Sequence, residues 1–178
     1  PDRKVGLMGL GVLSSDAAAA LTALRFSVAS WTRTPKAVPG VNCFHGDDGL
    51  GPFLAQTKIL VALLPLTDDT RGILNADLFA QLPKGAGLIN AGRGGLQVEA
   101  DIITALDSGQ LSEAVLDVFS TEPLPEGNPL WRHPKVTLTP HNAALTGSET
   151  GAREVAANLQ RVLAGERPHN IVDTKAGY

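Results

Sequence analysis

Nothing in this chain approaches the ~20 consecutive apolar residues that a membrane-spanning helix needs, which excludes a transmembrane segment of that kind. Cysteine is almost missing. Cys43 stands alone, so no internal disulfide can form, and its setting VNCFH (41–45) reads as a short buried strand with an inert core thiol. Charge is not in excess on either side: 15 Lys and Arg stand against 18 Asp and Glu, scattered along the chain, which argues against a nucleic-acid surface. The four His are widely spaced and offer no metal-ligand cluster, so no metal is expected. The start is charged and turns directly into a strand pattern, unlike a signal peptide, and a cytoplasmic protein is the default. Repeats and low-complexity segments are also missing.

What is present is a globular balance, 43% apolar and 19% charged, over 178 residues, enough for one domain with a real core. KVGLM (4–8), SVASW (27–31), VNCF (41–44), KILVALL (58–64), GLIN (87–90), EAVLDVF (113–119) and KVTLTP (135–140) read as strands. Between them lie helical patterns. One runs through 17–24 with Ser14, Ser15 or Asp16 as N-cap, a weaker one covers 49–56, and one follows Asn75 as cap. Val98, Ile102, Ala105 and Leu106 form a helical face closed by Gly109, and Val155, Leu159, Val162 and Leu163 form another before Gly165. Short strands alternating with helices predict an α/β fold with a doubly wound parallel sheet of the Rossmann type.

The first strand runs into Gly9-x-Gly11-x-x-Ser14. The first Gly permits a tight turn, and the second lets a pyrophosphate approach the backbone at a helix N-terminus. Val12 and Leu13 join Gly9 and Gly11 as candidate cofactor contacts. An NAD-selective site usually carries an acid about 20 positions on. Here WTRTPK (31–36) stands instead, and no Asp or Glu occurs between Asp16 and Asp47. Arg33 with Thr32 or Thr34 suits a 2′-phosphate, Lys36 adds charge, and NADP(H) is expected over NAD(H), which stays possible.

Three charged residues sit in distinctive settings: Arg93 in INAGRGG (89–95), Glu122 in LDVFSTEPLP (116–125) and His141 in TPHNAA (139–144). An Arg grips a carboxylate through two parallel hydrogen bonds. A His moves a proton near neutral pH, and a carboxylate beside it favours its charged form. Together they suit reduction of a 2-oxo acid.

In this order, from about residue 4 to the end, these motifs resemble the D-isomer-specific 2-hydroxyacid dehydrogenase family, and in wording its bacterial glyoxylate/hydroxypyruvate reductase branch. The resemblance implies that Arg93 binds the substrate carboxylate and polarises its 2-oxo group. It makes His141 the acid in reduction, paired with Glu122. It adds Leu64, Pro65 and Thr70, in LLPLTDDTRGIL (63–74), and Ala91, Gly92 and Asp117 as cofactor contacts. It implies a homodimer, and a cofactor domain over 1–145 followed at 146–178 by a crossover helix and tail. Family members carry a substrate domain ahead of this point. Residues from about Thr146 would pack partly on it, with a mobile tail near Ile171 and Val172, and this chain alone should show little turnover. The rival expectation is a non-catalytic dinucleotide sensor, against which all three charged residues argue.

Overall fold

The computed structural model describes residues 3–144 and 147–172. Seven strands form one parallel sheet: β1 (Val5–Met8), β2 (Val28–Thr32), β3 (Val41–His45), β4 (Ile59–Ala62), β5 (Ala86–Asn90), β6 (Leu111–Leu116) and β7 (Val136–Leu138). Their spatial order is β3-β2-β1-β4-β5-β6-β7, so the doubly wound expectation holds. Leu7 pairs with Ser30 on one side and Val61 on the other, which puts β1 at the centre. All residues of β1 and β2 are buried, as strands covered on both faces must be.

Alternation along β1 sends Val5 and Leu7 to one face, where Ala18 of α1 (Val12–Ala23) covers them. Met8 points to the other face. There it joins Phe53 and Leu54 of α2 (Gly46–Gln56), Phe79 of α3 (Ala76–Ala80), and Ile102 and Leu106 of α4 (Glu99–Asp107). Asn75 caps α3 as expected, its side-chain oxygen accepting from the Leu78 amide at 3.0 Å. Gly109 closes α4 with φ +75°.

Several expectations need correction. α1 begins at Val12 with Gly11 as N-cap and no capping side chain, so Ser14, Ser15 and Asp16 lie inside the helix. The turn after β1 puts the extended residue Gly11, φ −85° and ψ −165°, directly before the helix, so the cap position falls on a residue with no side chain to bond the first helical amides. β3 is an outer strand of partly buried and exposed residues, so Cys43 is half-buried and not a core thiol. In β4 only Leu60 and Ala62 are buried, and the strand stops before Leu63. β6 stops at Leu116, releasing Asp117 to Phe119 into the loop.

The last helix, α5 (Ser148–Leu163), has no buried residue. Its apolar face is open: Val155, Leu159, Val162 and Leu163 are each more than half exposed. Ile171 and Val172 are exposed as well, and the rest of the expected tail lies outside the described residues. Among the described residues no helix is long and apolar enough to cross a membrane.

This division of burial has a direct test. Leu88→Ala, at a fully buried position in β5, should cost about 2–5 kcal/mol of unfolding free energy. Leu159→Ala on α5 should change it by no more than about 0.5 kcal/mol. Urea denaturation of this chain checks both, and equal losses would mean that the α5 face is packed in solution.

Candidate active site

At the carboxyl ends of β1 and β4 the chain leaves the sheet in opposite directions, which opens a crevice. A cavity of about 500 Å³ lies there, within the usual size range of small-ligand sites. Gly9, Gly11, Thr32, Arg33, Thr34, Leu64, Pro65 and Thr70, all expected at a cofactor, line it together. Gly9 has φ +101°, and a side chain there would meet the Leu63 carbonyl at 3.0 Å, so glycine is required. A Cβ at Gly11 would meet nothing within 4 Å, so the backbone at the head of α1 lies open to a close approach. Val12 and Leu13 begin α1 with side chains in solvent, 73% and 62% exposed, and do not line the cavity.

Around this crevice side chains fix the loops. Lys36 donates from Nζ to the Leu10 carbonyl at 2.7 Å, bringing its charge to the glycine turn. The Thr32 hydroxyl donates to the Thr34 carbonyl at 2.8 Å, shaping the turn that carries Arg33. The Thr70 hydroxyl donates to the Pro65 carbonyl at 2.7 Å and accepts from the Thr67 amide at 2.8 Å, closing the loop after β4. Asp47, at the start of α2, also lines the cavity. It follows β3, whereas an acid that reads ribose stands at the end of β2.

Arg93 sits just past β5 in extended backbone, φ −142° and ψ 144°, and heads a short 3-10 turn, Gly94–Leu96. Its Nη1 donates to the Gly92 carbonyl at 2.7 Å. Gly92 is packed so tightly that a Cβ would lie 3.2 Å from the Ala62 and Leu64 carbonyls, while the Ala91 amide donates to the Ala62 carbonyl at 3.3 Å. Gly94 is packed harder still: a Cβ would sit 1.8 Å from the Phe119 carbonyl. The turn bearing Arg93 is therefore pressed backbone to backbone on the loop bearing Glu122.

Across that loop, His141 Nδ1 and Glu122 Oε2 are 2.8 Å apart, and Glu122 Oε1 accepts from the Phe119 amide at 2.9 Å. The bond with His141, then that with Phe119, holds the Glu122 carboxyl below its ordinary value of 4.5 against burial and the Asp117 charge. With Nδ1 engaged by Glu122, Nε2 is the remaining ring nitrogen. Both side chains stay open, 50% exposed for His141 and 36% for Glu122. A second cavity of about 590 Å³ adjoins the pair, walled mainly by Phe119, Leu124, Trp131 and Leu138.

His141 has φ +52°, an unusual conformation for a residue with a side chain. Asp117 holds it there. This carboxylate, only 4% exposed, accepts from the Thr139 hydroxyl and from the Asn142 and Ala143 amides, each 3.0 Å away. Burial pushes the Asp117 carboxyl up. The Thr139, Ala143 and Asn142 bonds and the His141 charge together outweigh it, leaving the carboxyl below 3.8. Asp117, expected as a cofactor contact, is bonded here to the loop around His141. Sequence reading also missed Gln97 and the side-chain role of Asn90: both are buried, and their side chains bond each other at 2.8 Å behind Arg93. The available signal was two amides flanking the RGG turn, one of them ending an apolar strand. Elsewhere, His133 pairs with Asp107 at 3.3 Å, and the His169 backbone amide donates to the Asn158 side chain at 2.7 Å.

The family model for the D-isomer-specific 2-hydroxyacid dehydrogenase NAD-binding domain matches residues 1–143. The chain belongs to this family. It is 48% identical to glyoxylate/hydroxypyruvate reductase A of Serratia proteamaculans over 98% of this chain and 56% of that relative. With the protein of the same name from Photorhabdus laumondii the identity is 47%, over 99% of this chain and 58% of the relative. The chain thus spans a little over half the length of the curated relatives it matches. Among solved structures, a family member from Xanthobacter autotrophicus in complex with NADPH superimposes with TM-score 0.97 at 48% identity, over 99% of this chain and 73% of that one. An NADPH-dependent glyoxylate/hydroxypyruvate reductase from Sinorhizobium meliloti in complex with NADP and sulfate gives 0.94 at 46%, over 99% and 57%.

The Asp117 geometry sets an acid dependence. Its folded pKa lies below the unfolded value, so its contribution to stability is complete above about pH 4 and is lost as pH falls through the lowered value. Asp117→Asn should cost about 1–3 kcal/mol at pH 7, because an amide nitrogen would face the Ala143 amide. The difference from wild type should shrink below about pH 4. Urea unfolding across pH measures this, and a gap independent of pH would contradict it.

Proposed function

We propose that the protein is an NADPH-dependent reductase of small 2-oxo acids, with glyoxylate and hydroxypyruvate as substrates. The observation that carries this reading is the Glu122–His141 pair at 2.8 Å on the same loop system that backs the Arg93 turn. A dinucleotide sensor has no use for such a pair. The crevice fits the cofactor on its own geometry: an open backbone at Gly11, a helix without a side-chain cap, and Arg33 and Lys36 at the end of the second strand. When bound, NADPH supplies a hydride to C2 of the 2-oxo acid.

The rest of the work falls to the chain. Arg93 takes the substrate carboxylate in a bidentate grip and draws electron density from the carbonyl. His141 gives a proton from Nε2 to the carbonyl oxygen, while Glu122 stabilises the charged ring through Nδ1. In the reverse direction the same Nε2 accepts the proton. Arg33, with Lys36 behind it, receives the 2′-phosphate. A homodimer belongs to the same proposal and rests on the family resemblance.

Calorimetric titration with NADPH and NADH in parallel tests the cofactor reading. NADPH should bind more tightly, and Arg33→Ala should weaken NADPH about 10- to 100-fold, the range of one charged hydrogen bond, while leaving NADH nearly unchanged. Preference for NADH would overturn the 2′-phosphate assignment. In the full-length protein, His141→Ala should lower kcat about 10²- to 10⁴-fold without changing NADPH affinity. Undiminished turnover would remove His141 from the proton transfer.

A further inference from the structure

Behind Arg93 lies a buried hydrogen-bond chain whose orientation is fixed by chemistry. The Gly92 amide can only donate, and it meets the Asn90 side chain at 3.1 Å, so Asn90 presents its oxygen there. The Asn90 amide nitrogen then faces two acceptors, the Arg93 carbonyl at 3.2 Å and Gln97 Oε1 at 2.8 Å. That leaves Gln97 Nε2 to donate to the Val118 carbonyl at 3.1 Å. Each polar side-chain atom of the pair has a partner, and no flipped alternative satisfies the Gly92 amide and the Val118 carbonyl together.

The chain continues on the far side. Val118 precedes Phe119, whose amide donates to Glu122, which pairs with His141. Glu99, two residues beyond Gln97, grips the same loop: Oε1 accepts from the Ser120 amide at 3.0 Å and Oε2 from Asn128 at 2.8 Å. Gln97 is 4% exposed and Asn90 is fully buried, so neither touches a ligand directly. Glu99 holds the loop from the head of α4; within the Arg93 turn itself, among the described residues, Gln97 is the one whose side chain bonds that loop.

We propose that Gln97 is a positioning residue that sets the placement of Arg93 relative to the Glu122–His141 pair. Its catalytic meaning rests on the reading above, in which Arg93 and His141 act on one substrate. The structural claim stands without it. A short polar bridge resists sliding of the two loops, whereas the apolar contacts around it tolerate small shifts.

Two variants of this chain test the proposal by NMR. Gln97→Met keeps length and shape but loses both bonds. The Gly92 and Phe119 amide signals should shift, and hydrogen exchange of the Phe119 amide should quicken about tenfold, the loss expected for one net hydrogen bond. The His141 ring signals should shift with them, while NADPH affinity stays within about twofold, because the crevice at Gly9 and Gly11 is untouched. Gln97→Glu gives a conditional replacement. Burial raises the pKa of the new carboxyl. Once protonated, it can donate to the Val118 carbonyl and accept from Asn90, as Gln does. The Gly92 and Phe119 signals should therefore return toward the wild-type positions recorded at the same pH as this variant is acidified. A role in packing alone predicts no such recovery. Unmoved Phe119 and His141 signals in folded Gln97→Met would overturn the proposal, and so would Gln97→Glu spectra that stay displaced when acidified. If Gln97→Met does not fold, the acid recovery decides. Failure of the wild-type chain to bind NADPH would count against the proposed function and leave the Gln97 comparison intact.

Discussion

In a sheet whose strands all run the same way, the carboxyl ends share one edge, and backbone groups there run out of ladder partners. The site is built on that edge. Gly9 follows β1, Arg33 follows β2, Leu63 follows β4, Asp117 follows β6 and Thr139 follows β7 directly, while Arg93 lies three residues past the end of β5. The parallel register β4–β5–β6 aligns Ala62 with Asn90 and Asn90 with Leu116. Segments that follow one another at intervals of 28 and 26 residues along the chain therefore leave the sheet at one level. The amide of Asp117 then donates to the Asn90 carbonyl at 3.0 Å, which extends the ladder by one rung into the site itself. Without that alignment neither the turn at Arg93 nor the loop at Glu122 would have a fixed neighbour.

Buried polar groups just beneath the edge hold exposed ones above it. Asp117, Asn90 and Gln97 are each at most 4% exposed, and all are bonded to backbone amides or carbonyls of the loops above. An unpaired group at that depth would cost about 1–3 kcal/mol, so these loops are held in the arrangement that satisfies every member. His141 at φ +52° shows the effect: three donors from its own loop converge on Asp117, and together they offset the cost of a left-handed side-chain residue. Ser30, whose buried hydroxyl bonds none of the described residues, lies within β2 and away from this layer.

Much of this was legible in the sequence. Alternating strands and helices gave the fold class, because continuous apolar runs such as those at 58–64 and 87–90 suit strands buried in a parallel sheet. Arg93, Glu122 and His141 were legible because each is a charged residue in a turn context that packing alone does not explain. The rest depended on tertiary contact. Nothing local says that Gly11, and not Ser14, heads α1, since that depends on how the turn after β1 enters the helix. Cys43 looked like core because its neighbours are apolar, but β3 is an outer strand, and strand order cannot be read from composition. Asp117 reads as an acid at a strand end. Only the fold reveals that its carboxylate points back at a loop 22–26 residues later. Gln97 gave no signal beyond being polar near a glycine pair.

The exposed state of the chemical groups separates two properties that a sequence motif runs together. An exposed ion pair contributes about 0–1 kcal/mol, and Glu122 with His141 stands 36% and 50% open to water. On the proposed function, Arg93 and His141 would act at this open edge in a high dielectric, where their pull on a carbonyl is weak. Their power grows only when water is excluded from the edge. The crevice at Gly9 and Gly11, in contrast, depends on backbone geometry and a helix terminus that are complete in this chain. On the proposed function, nucleotide affinity and catalytic power therefore rest on different parts of the molecule. The first would be set by the turn after β1 and the basic residues after β2. The second would be set by whatever is laid over Arg93 and His141: the nucleotide, the substrate and any further chain that closes on them.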